Sequence, residues 1–148
     1  MKKKIIAIVL SALTVASALS MPVFADDVIT VLVNGEQVTF TDVAPYIEEG
    51  RTLVPMRTIF ETLGAVVEWD GETKTIISYD PVSNVSITMQ ADSKTMFINE
   101  EPVELDVPAT IVGDRTVVPL RAIAEGMNSN VGWDQDTKTV TIEKNINN

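Results

Sequence analysis

Four arginines stand in two pairs of identical spacing. Arg51 and Arg57 bracket Arg-Thr-Leu-Val-Pro-Met-Arg, and Arg115 and Arg121 bracket Arg-Thr-Val-Val-Pro-Leu-Arg. A guanidinium offers a planar fork of donors suited to a carboxylate or to sugar hydroxyls. The competing use is internal. Arg57 with Glu61, and Arg121 with Glu125, are four residues apart, where opposite charges meet on one helix face. The chain has 11 basic and 21 acidic residues, so every arginine has carboxylates within reach, and internal pairing is the plainer expectation. Trp69 and Trp133 form a third repeated pair. An exposed indole stacks on sugar rings, but each tryptophan follows a valine two residues earlier, as on the inward face of a strand. Packing is therefore expected first. Ligand or partner contact is the alternative for Arg51, Arg57, Arg115, Arg121, Trp69 and Trp133.

The remaining chemistry is narrow. The sequence has no histidine and no cysteine, which removes most nucleophile–base pairs and most transition-metal sites. Asp70 with Glu72, and Asp134 with Asp136, carry oxygens that calcium accepts, but they are too few for a calcium loop and read as turns. Paired carboxylates suffice for glycoside cleavage, yet no spacing singles out a pair. No catalytic residue, metal or cofactor is assigned. A carboxylate-based extracellular hydrolase stays as the alternative to a non-catalytic module.

The N-terminus reads as an export leader over residues 1–25. Lys2, Lys3 and Lys4 precede an apolar run from Ile5 to Leu19, and Val23-Phe24-Ala25 closes on a small residue. The run is short of the roughly 20 residues a spanning helix needs, so cleavage before Asp26 is expected, with no stable membrane insertion afterwards. Without the three leader lysines the net charge falls from −10 to −13. Such a surface repels phosphate backbones and argues against nucleic acid as partner. With no disulfide to help, a chain this small must be held by burial, which favours one merged core.

The positions of these residues follow from an internal repeat. Residues 51–75 align with 115–139 at an offset of 64, with 13 of 25 positions identical. Upstream, Val33-Asn34-Gly35 aligns with Ile98-Asn99-Glu100 at an offset of 65. Each copy reads as a hairpin, a loop containing Pro45 or Pro108, and a short strand. A helix then opens at Pro55 or Pro119, a residue suited to the first helical position. Met56, Ile59, Phe60 and Leu63 lie on one helix face, as do Leu120, Ile123, Ala124 and Met127. Gly64 and Asn128 suit a left-handed helix stop, and two strands follow. Asn34-Gly35 suits a two-residue turn with positive φ; Glu100 suits it less. The expected fold is α+β: two tandem repeats, residues 26–82 and 83–148, each a small antiparallel sheet on one short helix, sharing a core. Val85, Ile87 and Met89 alternate as a linking strand placed with the second unit.

These motifs resemble those of the copper amine oxidase N-terminal-like, or stalk, domains. The resemblance rests on Val33-Asn34-Gly35, on Arg51 to Arg57, on Leu63-Gly64-Ala65, on Val67-Glu68-Trp69-Asp70 and on Thr73-Lys74-Thr75. The second copy departs at Glu100 and at Met127-Asn128-Ser129. The resemblance implies a non-catalytic unit of the kind found in exported bacterial proteins, alone or beside hydrolase and wall-binding domains. It implies no oxidase activity here. That chemistry needs histidine copper ligands and a tyrosine-derived quinone, and Tyr46 and Tyr79 lie in Pro-Tyr-Ile and Ser-Tyr-Asp, outside the cofactor's setting. The expected role is that of a secreted or wall-associated envelope module, a binder or spacer whose partner is wall polysaccharide or an envelope protein.

Overall fold

The computed structural model describes residues 28–145. The expected leader over residues 1–25 lies outside these. The strands are β1 (Thr30–Val33), β2 (Glu36–Gln37), β3 (Tyr46–Glu48) and β4 (Arg51–Pro55), followed by helix α1 (Met56–Thr62). Next come β5 (Val66–Asp70), β6 (Thr75–Asp80), β7 (Val85–Gln90), β8 (Thr95–Ile98) and β9 (Glu101–Glu104). The chain then runs through β10 (Thr110–Val112), β11 (Arg115–Pro119), helix α2 (Leu120–Gly126), β12 (Ser129–Asp134) and β13 (Thr139–Lys144). The class is α+β, with mostly antiparallel sheets and two short helices.

Three sheets result, ordered β9-β8-β7-β6-β5, β10-β11-β4-β3 and β12-β13-β1-β2. This corrects the expectation of one sheet per repeat, because every sheet takes strands from both 26–82 and 83–148. The hairpin β1–β2 has no strand of its own half beside it and pairs in parallel with β13, from Thr30 opposite Thr139 to Val33 opposite Ile142. The hairpin β8–β9 reaches the first half instead, through β7, which is antiparallel to β6. Each exchange gives an otherwise exposed strand edge a partner. In the central sheet β4 and β11 are antiparallel, and Val54 stands opposite Val118, the residue 64 positions on.

Local sequence accounts for the joints. Asn34 and Gly35 have φ of 51° and 87°, and Asn99 and Glu100 have 49° and 73°, so Glu100 makes the same turn despite its side chain. Gly64 and Asn128 end the helices at φ 96° and 65°. The prolines sit one residue earlier than expected. Pro55 has φ −57° and ψ 130°, closing the strand rather than opening the helix. Both helix seams are buried, with Ile59, Phe60, Ile123 and Ala124 at 0% exposure, and they enter one core cluster with Ile76, Ile87, Met96 and Ile142.

One ion pair crosses this core. Asp80, at the end of β6, is fully buried and bonded to the Lys144 ammonium at the end of β13. These residues too are 64 apart. Lys144 also donates to the Leu63 carbonyl. Burial opposes the charged form of Asp80. The Lys144 ammonium, the Ser83 hydroxyl and the Val82 amide outweigh it and hold the carboxyl below its ordinary value.

Candidate binding groove

The arginines are placed by the strand-to-helix joint that carries their motif. Arg51 and Arg115 begin β4 and β11, while Arg57 and Arg121 are the second residues of the helices. Each is engaged. Arg51 pairs with Asp106, its Nε 2.9 Å from the carboxylate, and Arg115 pairs with Asp42 at 2.8 Å. The two aspartates are themselves 64 apart, so these bridges are reciprocal. Arg57 reaches Glu61 at 3.4 Å and the Val67 carbonyl at 3.2 Å. Arg121 reaches Glu125 at 3.2 Å and the Val131 carbonyl at 3.3 Å. The expected i,i+4 pairs are therefore formed. All four are about half exposed, and each guanidinium keeps donors for a further partner.

Trp69 and Trp133 are half-buried against the main core. Their surroundings differ. Trp133 donates from Nε1 to the Gln135 amide oxygen at 2.9 Å. At the matching place beside Trp69 stands Gly71, which has no side chain to accept. The turns behind them are alike. Asp70 accepts from the amides of Glu72 and Thr73 at 2.9 and 3.3 Å, and Asp134 from those of Asp136 and Thr137 at 2.9 and 3.2 Å. These bonds account for both aspartates as turn formers. Among the described residues no three acidic side chains gather as a metal site.

A groove of about 560 Å³ brings three of the six candidate residues together: Arg51, Arg121 and Trp133. It runs between the β4 strand start, the segment 104–107, the first turn of α2 and the β12–β13 hairpin. Arg57, Arg115 and Trp69 do not line it. Ile47, Leu105, Val131 and Val140 supply an apolar floor, while Glu104, Asp106, Glu125 and Gln135 bring acceptors. Sequence reading missed Asp106 and Asp42, whose Asp-Val dipeptides recur at the same offset of 64 and carried that signal. It had no means of finding Glu104 or Gln135, which have no matching acidic or amide residue in the first copy.

Two arginines against three carboxylates leave the groove with little net field, while its hydrogen-bonding capacity is high. Asp106 and Glu125 are each held by an arginine. The strand-rich frame, its short helices and this amphiphilic groove make up a small α+β module. The chain belongs to the copper amine oxidase N-terminal domain family, whose sequence profile matches residues 32–142. That domain is the non-catalytic part of the oxidases that give the family its name. No curated protein matches the chain. Among the described residues no helix is long and apolar enough to cross a membrane.

Proposed function

We propose that this protein is an exported, non-catalytic envelope module that holds a neutral polysaccharide of the cell wall, built from two copies of one unit about a pseudo-twofold axis. The observation that carries the reading is the convergence of Trp133, Arg51 and Arg121 on one groove. A half-buried indole offers a face for a sugar ring, and the guanidinium and carboxylate groups beside it match hydroxyls and amides. The near balance of charge favours an uncharged polymer over an anionic one. Export rests on the leader-like residues 1–25, and the family's non-catalytic character supports a role in binding or spacing.

Titration of the full chain with soluble N-acetylglucosamine oligosaccharides, which are uncharged, tests this. Trp133→Ala is expected to weaken binding about tenfold, the scale of one aromatic contact. Trp69→Ala, outside the groove, is expected to leave it unchanged. Equal affinity for all three proteins, or no binding at all, would overturn the reading. Intact mass of the protein recovered from culture medium tests export, with a chain starting at Asp26 expected.

A further inference from the structure

The outer face of the five-stranded sheet carries an exposed apolar stripe. Val66, Ile77, Tyr79 and Phe97 are 62%, 44%, 45% and 42% exposed. The register makes them neighbours: Val66 stands opposite Tyr79, Ile77 is linked through Thr88 to Phe97, and Pro102 lies beyond Phe97. Cross-strand partners share a face, so these side chains form one continuous surface. The sheet containing β12 and β13 offers an internal control. At the positions 64 residues on from Val66, Ile77 and Tyr79 it has Asn130, Thr141 and Glu143, all exposed. The same fold position is thus polar in one sheet and apolar in the other, while the inward faces stay buried in both.

The flanks of the apolar stripe are acidic. Glu68 stands beside Ile77 in the same row, Asp70 follows it on β5, and Glu104 lies on the far edge, its carboxylate accepting from Thr95 at 3.0 Å. No lysine or arginine occurs in β5 to β9. We infer that this face docks a protein partner whose contact surface is apolar with basic residues around it. Burial of the stripe supplies affinity, and the acidic flanks select for cationic partners and speed encounter. A second copy of this chain fits poorly. It would set the same carboxylates against one another between two molecules that each carry −10. None of the stripe's apolar side chains lines the groove; Glu104, on the edge between them, is the one residue the two surfaces share.

The test is calorimetric titration of the full chain with a designed hairpin peptide, one face of which alternates lysine with valine and tyrosine. Saturable one-to-one binding is expected, weakened about tenfold or more by Ile77→Thr with Tyr79→Glu, the residues the other sheet carries. It should also weaken in about 0.5 M NaCl and vanish when glutamate replaces the peptide's lysines. Asn130→Asp, on the other sheet, is expected to change nothing. Three results would overturn the inference: no saturable binding; equal binding by the double variant; or a wild-type dimer in sedimentation that the double variant dissolves, which would give the face to a second copy. Displacement of the peptide by soluble peptidoglycan fragments would overturn it too, by giving the face to glycan.

Discussion

The sheets β5–β6 and β12–β13 begin from corresponding sequence and meet opposite demands. Their inward residues are held alike: Val67 and Ile76 in one and Val140 and Ile142 in the other are all buried. Their neighbours differ. β6 takes an antiparallel strand, β7, whereas β13 takes a parallel one, β1. Three outward residues change from apolar to polar, from Val66, Ile77 and Tyr79 to Asn130, Thr141 and Glu143. Two constraints thus act on separate halves of each strand. The shared core fixes one side chain in two, and the alternate ones are free to serve solvent or a partner. The inner set changes too, from Ser78 to Ile142 and from Asp80 to Lys144, so what the core fixes there is burial and pairing, while the outer set answers to solvent or a partner.

The sharpest way to break the comparison is to cut the pair that joins the two sheets. Lys144→Met leaves the Asp80 carboxylate buried without its cation and is expected to lower stability by about 3–5 kcal/mol. Urea unfolding measures it. Asp80→Asn with Lys144→Met should recover part of the loss, since no charge is then stranded. The pH dependence follows from the lowered carboxyl. Its contribution is complete above the ordinary carboxylate range and is lost as pH falls through the folded-state value. Wild type should weaken in acid more steeply than the double variant. Parallel acid profiles for the two proteins would show that the pair contributes nothing.

A second, smaller break compares the helices. Ile59→Ala and Ile123→Ala each empty a fully buried site and should each lower stability by about 2–5 kcal/mol. Both should give a single urea transition, because the two seams enter one core. Thr58→Ser and Ala122→Ser, one residue earlier, should change it by less than about 1 kcal/mol. Two separated transitions in either isoleucine variant would mean that the halves unfold independently.

The helix seams, the turns and the helix stops were legible because each is a local pattern: a 3.6-residue period, a residue tolerant of positive φ, a proline. The exchange of hairpins between sheets was not. Its determinant is which strand edge each hairpin finds, and that is long-range. Asn34 and Asn99 carry a trace of it. Beyond making the turn, the Asn34 amide oxygen accepts from the backbone N–H of Lys144 at 3.0 Å and that of Asn99 from the backbone N–H of Ser86 at 2.9 Å, so each fastens its hairpin to a strand that the sequence does not name. The internal arginine pairs were legible where they were helical. Arg51–Asp106 and Arg115–Asp42 were hidden because the partners are 55 and 73 residues distant. The groove was half legible, since its indole and guanidinium groups stood out while its acceptors did not.

The smallest expected effect is the most discriminating. Replacing Ile77 by Thr and Tyr79 by Glu gives the first sheet the outer residues of the second. Both side chains stand on the solvent side, and neither belongs to the core cluster. Their contribution to folding is cross-strand contact with Val66, Glu68, Ser86 and Thr88, together with the hydrogen bond that the Tyr79 hydroxyl donates to the Asn84 amide oxygen in the β6–β7 turn. Such pairs are worth roughly 0.2–1 kcal/mol. Ile77→Thr should therefore shift the unfolding free energy by less than about 1 kcal/mol, and Tyr79→Glu, which also loses its hydrogen bond, by up to about 2 kcal/mol, read from urea midpoints at constant slope. A much larger loss would mean that the apolar stripe stabilises the sheet in a way its counterpart does not need. The contrast between the faces would then belong to packing, and the case for a docking partner would lose its footing. A loss within the expected range leaves the stripe without a structural reason in the isolated chain. That is the condition under which an exposed Val, Ile, Tyr and Phe on one flat sheet are kept for what they touch outside it.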